Sequence, residues 1–202
     1  MDAIDVTMLA ESPWLLPALF LLVLGDAFLV VLPSETAVVA LASIAGATGS
    51  PNLPALVAVA ALGAILGDSL CFAIGRSVGF DRWRWQREGR LARQLERVRG
   101  TVLARPAVLI FTARYIPFAR IAVNLTAGAT GLAYRRFLPL SAAAGLGWAV
   151  YNSAVGLFFG SWLRDQPVLA VVVSVVVAMG LGFLIDLIAR LRSRLRSRPA
   201  AD

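Results

Sequence analysis

Leu53-Pro54-Ala55-Leu56-Val57-Ala58-Val59-Ala60-Ala61-Leu62-Gly63-Ala64-Ile65-Leu66-Gly67-Asp68-Ser69-Leu70-Cys71-Phe72-Ala73-Ile74 is one apolar run broken by a single charge, Asp68. About 20 apolar residues wound as a helix cross roughly 30 Å of hydrocarbon. In water this run would need a polar shell around it, and the chain has little to offer. Of its 202 residues 59% are hydrophobic, with a mean hydropathy of +0.78, above the roughly 45–50% of an ordinary globular domain. The pattern recurs outward from this run. Residues 13–32 are apolar apart from Asp26, residues 137–163 form a third run, and residues 167–188 a fourth with Asp186 near its end.

These runs predict an all-α polytopic membrane protein with about four spanning helices in a single membrane domain over residues 1–202. Two other apolar stretches do not read as simple spans. Residues 35–49 are short, and residues 102–132 carry Arg114, Pro117 and Arg120 in their middle. The leading residues Asp2, Asp5 and Glu11 are acidic where a secretory signal is positively charged, so the first run is expected to remain as a helix. The single cysteine, Cys71, lies inside an apolar run and reads as packing.

All 19 basic residues are arginine, and the formal net charge is +7. They cluster at residues 76–105, at Arg135 and Arg136, and at residues 190–198. The positive-inside rule puts all three clusters in the cytoplasm. The chain then runs out to in across 53–74, in to out across 137–163, and back across 167–190, leaving 191–202 as a basic cytoplasmic tail. Residues 102–132 must enter and leave on the cytoplasmic side, as a re-entrant hairpin whose tip is covered by protein or a water-filled cavity.

A pI of ≈ 11.1 would also suit nucleic acid. The arginines abut apolar spans, however, where anionic headgroups attract them by about 1 kcal/mol each, so membrane lipid is the expected partner and nucleic acid is not. Between residues 80 and 102, Phe80, Trp83, Leu91, Leu95, Val98 and Val102 share one side of a helix, and Arg82, Arg90, Arg93 and Arg97 the other. That is the pattern of an interfacial helix on the inner leaflet over about 80–100, with Gly89 as its weak point. An ordinary solvated loop helix is the alternative.

An internal repeat organises the rest. Ala45-Gly46-Ala47-Thr48-Gly49 recurs as Ala127-Gly128-Ala129-Thr130-Gly131. Each copy follows a proline with a charge close behind, Pro33-Ser34-Glu35 and Pro117-Phe118-Ala119-Arg120. Each precedes a Leu-Pro step, Leu53-Pro54 and Leu138-Pro139, expected to open a long helix. Both long helices end in glycines four apart, Gly75 with Gly79 and Gly156 with Gly160, a spacing that permits close helix packing. The halves are therefore residues 13–79 and 101–163, each a hairpin and a spanning helix. By the arginine topology they insert from opposite sides, as in the inverted repeats of many secondary transporters.

The first half brings carboxylates, Asp26 and Glu35, and the second brings guanidiniums, Arg114 and Arg120. Buried charges need partners, so the hairpins are expected to meet near the midplane. One reading is a site where Arg114 and Arg120 bind a phosphate headgroup, which suits the guanidinium fork, and Asp26 and Glu35 carry coupling protons. Asp68 either joins the proton path or hydrogen-bonds a hairpin end. The competing reading has the arginines snorkelling from the hairpin mouth and the acids capping helices. Histidine and lysine are absent. That excludes histidine-based intramembrane hydrolysis and histidine metal sites, leaves proton transfer to Asp or Glu, and predicts neither a cofactor nor a metal.

These motifs resemble the DedA family, whose shared region is also called the SNARE-associated or VTT domain, over about residues 25–162. The resemblance rests on Asp26 through Pro33-Ser34-Glu35, on Gly63 and Gly67-Asp68 through Gly75-Arg76-Ser77-Val78-Gly79, and on Phe111-Thr112-Ala113-Arg114-Tyr115-Ile116-Pro117-Phe118-Ala119-Arg120. Ala127-Gly128, Phe137 and Gly145-Leu146-Gly147-Trp148 complete it. Departures are Ala113 where glycine is usual, Asp26 where glutamate is common and Phe72 where tyrosine is common; none removes a charge. The resemblance implies two re-entrant hairpins in a bacterial plasma membrane protein of the cell envelope, dependence on proton-motive force and, for several members, recycling of undecaprenyl phosphate. The expected activity is a proton-coupled polyprenyl phosphate translocase rather than an enzyme. A proton-coupled exporter of a small solute, a lipid scramblase and a non-transporting scaffold are the alternatives, and a homo-oligomer stays open.

Overall fold

The computed structural model describes residues 12–29, 33–79, 89–114, 116 and 118–162, with residues 173, 176, 177 and 180 beyond them. The described chain is all-helical: α1 (Leu15–Asp26), α2 (Ser34–Thr48), α3 (Leu53–Val78), α4 (Gly89–Ala104), α5 (Pro106–Ala113), α6 (Ala119–Ala129) and α7 (Tyr134–Trp162). The expected last span (167–190), the basic tail and Asp186 fall outside the described residues apart from those four positions. So do Asp2, Asp5, Glu11, Phe80, Arg82, Trp83 and Pro117, and the side chains of Arg90, Leu91, Arg93 and Leu95.

Local chemistry sets the helix ends. Asn52 caps α3 by accepting from the Ala55 N–H at 2.9 Å, and Pro54 sits in the first turn, where its missing N–H costs nothing. Gly79 ends α3 at φ 64 and returns its N–H to the Gly75 carbonyl at 2.9 Å. The second Leu-Pro step behaves differently from the first. The α7 helix opens at Tyr134, with the N–H groups of Arg136 and Phe137 both donating to the Ala133 carbonyl at 2.8 and 3.1 Å, so Pro139 lies inside the helix. The turn at Gly131, φ 80, already frees the chain to start helix earlier. Likewise α4 runs past residue 100 to Ala104, because only Arg105, which precedes Pro106, is driven from helical geometry (φ −138, ψ 53).

Among the described residues, α3 and α7, at 26 and 29 residues, are the two helices long and apolar enough to cross a membrane. Their side chains are sorted inside out relative to a water-soluble bundle. The buried face of α3 is mostly small or polar, with Gly63, Ala64, Gly67, Asp68, Cys71 and Gly75, and Leu56 and Phe72 as its large apolar members. Its exposed positions Leu62, Leu66, Leu70, Ile74 and Val78 form a large apolar stripe at four-residue spacing. On α7, Ser141, Asn152, Ser153, Gly156 and Gly160 face inward while Leu146, Val150, Phe158 and Trp162 face out. Water would penalise such a surface; hydrocarbon does not, and in hydrocarbon small residues let helices meet.

Contacts give the helix directions. Asp68 meets Ser141, Ser69 meets Tyr134, and Arg76 donates to the Leu132 carbonyl, while Gly145 faces Ala61 and Ile65. As numbers rise along α3 they fall along α7, so the two long helices are antiparallel. The short helices then pair crosswise. A Cβ on Gly156 or Gly160 of α7 would strike the Val39 or Ser43 carbonyl of α2, and one on Gly46 of α2 would lie 2.7 Å from the Leu157 carbonyl. A Cβ on Gly75 of α3 would strike the Leu125 carbonyl of α6, and one on Gly128 the Phe72 carbonyl. Thus the first five-residue repeat rides on the long helix of the second half, and the second repeat on the long helix of the first. The two copies lie at opposite ends of the antiparallel pair. Gly79 takes no part, since a Cβ there would meet nothing within 4 Å. The expected Gly75/Gly79 packing pair is therefore one contact glycine and one helix stop.

Candidate functional site

The α1 and α2 helices, 12 and 15 residues long, and α5 and α6, 8 and 11 residues long, are each shorter than the roughly 20 residues of a span. They form two pairs of short consecutive helices, and the charges sit where the first helix of each pair ends and the second begins. Asp26 is the last residue of α1, Glu35 is in the first turn of α2, Arg114 follows α5 and Arg120 opens α6. Between the two arginines Phe118 adopts φ 64, a left-handed conformation that a side-chain-bearing residue takes at a cost of about 1–3 kcal/mol. It stands directly before α6, which carries Arg120, and Arg114 and Arg120 on either side of it both reach one carboxylate.

The carboxylate is Asp68, 1% exposed, on α3. Its Oδ2 accepts from Arg114 Nη1 and from Ser141 Oγ, both at 2.9 Å; its Oδ1 accepts from Arg120 Nε and from Asn124 Nδ2, both at 2.8 Å. Arg120 also reaches Asp26, Nη1 to Oδ2 at 3.0 Å. Two cations and two anions thus alternate as Arg114, Asp68, Arg120 and Asp26, drawn from α1, α3, the turn after α5, and α6. The cluster is neutral as a whole, which is how charges survive burial. It is most enclosed at the Arg114–Asp68 end, where the side chains are 4% and 2% exposed, and opens toward Arg120 and Asp26 at 15% and 17%.

Glycine makes the assembly geometrically possible. A Cβ on Gly67, beside Asp68, would lie 2.6 Å from the Ala27 Cβ, so its absence lets α1 close against α3 and brings Asp26 within reach. Trp148 adds a branch from α7. The guanidinium carbon of Arg114 stands 5.5 Å from the centre of the Trp148 ring, within cation–π range, and the indole N–H donates to Glu35 Oε1 at 3.3 Å.

The structure therefore brings Asp26, Asp68, Arg114 and Arg120 together as side chains in contact, and sets Glu35 beside them, bonded to Trp148 and near enough to Asp26 to act on it through space. Asp68 is the hub, a more central place than either sequence reading of it. Pro33 precedes α2, and Gly46, Gly75 and Gly128 hold the interhelical contacts described above. Sequence reasoning missed Asn124 and Ser141 as donors. Both had a signal: Asn124 lies one turn after Arg120 on the same helix face, and Ser141 interrupts an uncharged apolar run.

A family model for the VTT domain matches residues 32–158, from the residue before Pro33 almost to the end of α7. The match takes in Glu35, Asp68, Arg114, Arg120 and Trp148 and begins after Asp26. No curated protein and no solved structure matches the chain significantly. Arginines and carboxylates neutralised inside a helical bundle whose two long helices turn large apolar side chains outward agree with what that match identifies: the chain belongs to the VTT-domain or DedA family, membrane-associated proteins linked to transport rather than to catalysis.

Proposed function

We propose that this protein is a proton-motive-force-dependent lipid translocase that carries a polyprenyl phosphate of the undecaprenyl type across the bacterial plasma membrane. The observation that carries the reading is two arginines, the buried Arg114 and the half-buried Arg120, converging on one acidic centre from a pair of helices too short to span. A guanidinium fork is the side-chain geometry best suited to a phosphate oxyanion, and Nη2 of Arg120 is buried with no acceptor among the described residues. Asp26, Glu35 and Asp68 are the groups able to take up and release the coupling proton.

In this reading the two hairpins are re-entrant and enter from opposite faces, which the crosswise packing of the two repeats on the antiparallel α3 and α7 supports. Arg76, Arg135 and Arg136, at the adjoining ends of those helices, mark the cytoplasmic side. The final span and the basic tail return the C-terminus to that side. Phosphate binds at Arg114 and Arg120, the carboxylates respond to the pH gradient, and the lipid tail stays in hydrocarbon beside the exposed apolar faces of α3 and α7.

The test is reconstitution. Purified protein in liposomes should move a fluorescent or isotopic polyprenyl phosphate between leaflets faster than protein-free vesicles, with a rate that depends on the imposed pH gradient. Absence of acceleration at any gradient refutes the proposal in favour of a solute exporter or a scaffold.

A further inference from the structure

Asp68 sits between Arg114 and Arg120 as the anion they share. Its two oxygens collect two guanidinium N–H groups, one amide N–H and one hydroxyl from three other parts of the fold, all between 2.8 and 2.9 Å. Those are the donor types that hold an oxyanion, and here the anion belongs to the chain itself. Arginine stays protonated in proteins, so the two cations remain whatever else changes. With Asp68 and Asp26 both ionised the cluster is neutral, and a phosphate added to it would bury an uncompensated negative charge. The other ionisable groups near Asp68 are Cys71 on its own helix, whose thiol is engaged with the Ala27 carbonyl at 3.2 Å, and Glu35, held at one remove by Trp148.

We infer that Asp68 is an internal surrogate for the substrate anion, and that a phosphate group enters the Arg114–Arg120 cradle only as the Asp68 carboxylate leaves it or loses its charge. The inference rests on the phosphate-binding reading above and adds its coupling rule. One anion is admitted for each carboxylate charge withdrawn, so an arginine pair that would otherwise hold phosphate permanently is kept in balance. Asn124 and Ser141 serve both occupants, as neutral donors that do not alter the charge count.

The experiment removes the surrogate. Asp68→Asn leaves two arginines against Asp26 alone, a net positive cluster. In detergent, the variant should be stabilised by inorganic phosphate over chloride at equal ionic strength, and should bind phosphate roughly 100-fold more tightly than the parent, as the release of a buried unpaired charge implies. The parent should show little response. If Asp68→Asn is recovered folded from phosphate but not from chloride, that also supports the inference; equal stability, or equal failure, in the two salts overturns it. The double variant Asp68→Asn with Arg114→Gln restores neutrality and should lose the phosphate dependence; retaining it would overturn the inference as well. A short alkyl phosphate in place of inorganic phosphate separates the sources: saturation at lower concentration assigns the cradle to a lipid headgroup, and equal saturation to free phosphate, both in support of the exchange. Phosphate dependence in Asp68→Asn without lipid movement by the parent would sink the translocase and leave the surrogate standing. The reverse pattern would sink the surrogate alone.

Discussion

Replacing Gly128 with alanine tests whether helix contact and charge cluster are one device. A Cβ at Gly128 would lie 2.7 Å from the Arg76 amide nitrogen and closer still to the Phe72 carbonyl oxygen, where ordinary contact begins at 3.4 Å. Both neighbours are backbone, so neither can rotate away. Clearing the amide alone requires α6 to recede from α3 by about 0.7 Å. The same helix carries Arg120 and Asn124, whose bonds to Asp68 are 2.8 Å long. A retreat of that size takes both to about the 3.5 Å at which a hydrogen bond is lost. Overpacking costs roughly 1–3 kcal/mol, and an interhelical hydrogen bond in a membrane averages about 0.6 kcal/mol, which places the loss at roughly 2–4 kcal/mol. Gly147→Ala is the matched control, because nothing lies within 4 Å of a Cβ there and alanine gains about 0.5–1 kcal/mol in a helix. Thermal unfolding in detergent, followed by tryptophan fluorescence, should separate the two variants clearly, with lipid movement lost in the first and kept in the second. A Gly128→Ala protein as stable and active as Gly147→Ala would refute the coupling of packing to the site.

Other outcomes follow from the same geometry. Arg114→Lys and Arg120→Lys keep the charge that balances Asp68 and Asp26, so membrane accumulation should persist while lipid movement falls at least about tenfold for want of the planar fork; full complementation by the lysine variants would make the arginines structural. Asp26→Asn and Glu35→Gln keep shape but cannot exchange a proton near neutral pH, and transport should lose its response to the imposed gradient while phosphate binding survives; an unchanged gradient response would remove both residues from the proton path. Trp148→Phe keeps an aromatic face for Arg114 and deletes the N–H that meets Glu35, so the gradient response should weaken while phosphate affinity holds; equal loss of both would limit Trp148 to packing. With Cys71 replaced, cysteines at the exposed positions Thr48, within the first copy of the repeat, and Ala133, just after the second, should react with an impermeant reagent from opposite faces, and same-face labelling would rule out the inversion.

Hydropathy and the positions of prolines, glycines and charges were enough to read a helical membrane protein, the two long helices, the paired five-residue repeats and the family. These features are local. An apolar run of sufficient length needs no partner to be recognised, and a charge within it is costly wherever the run lies. Opposite signs on the two hairpins even announced that they must meet. Which groups meet was not local information. Asp68 became the hub because Gly67 lets α1 approach α3 and because Arg114 and Arg120, on either side of Phe118, both reach α3, neither of which spacing along the chain can express. Glu35 went to the Trp148 indole because α2 lies along the long helix of the other half. Gly79 and Gly75 look alike in sequence, yet one sits at φ 64 against open space and the other against the Leu125 backbone. Sequence determined how much charge had to find partners. Only the tertiary structure decided the pairing, since hydrogen-bond partners are fixed by directions and distances of 2.8 to 3.0 Å between helices far apart in the chain.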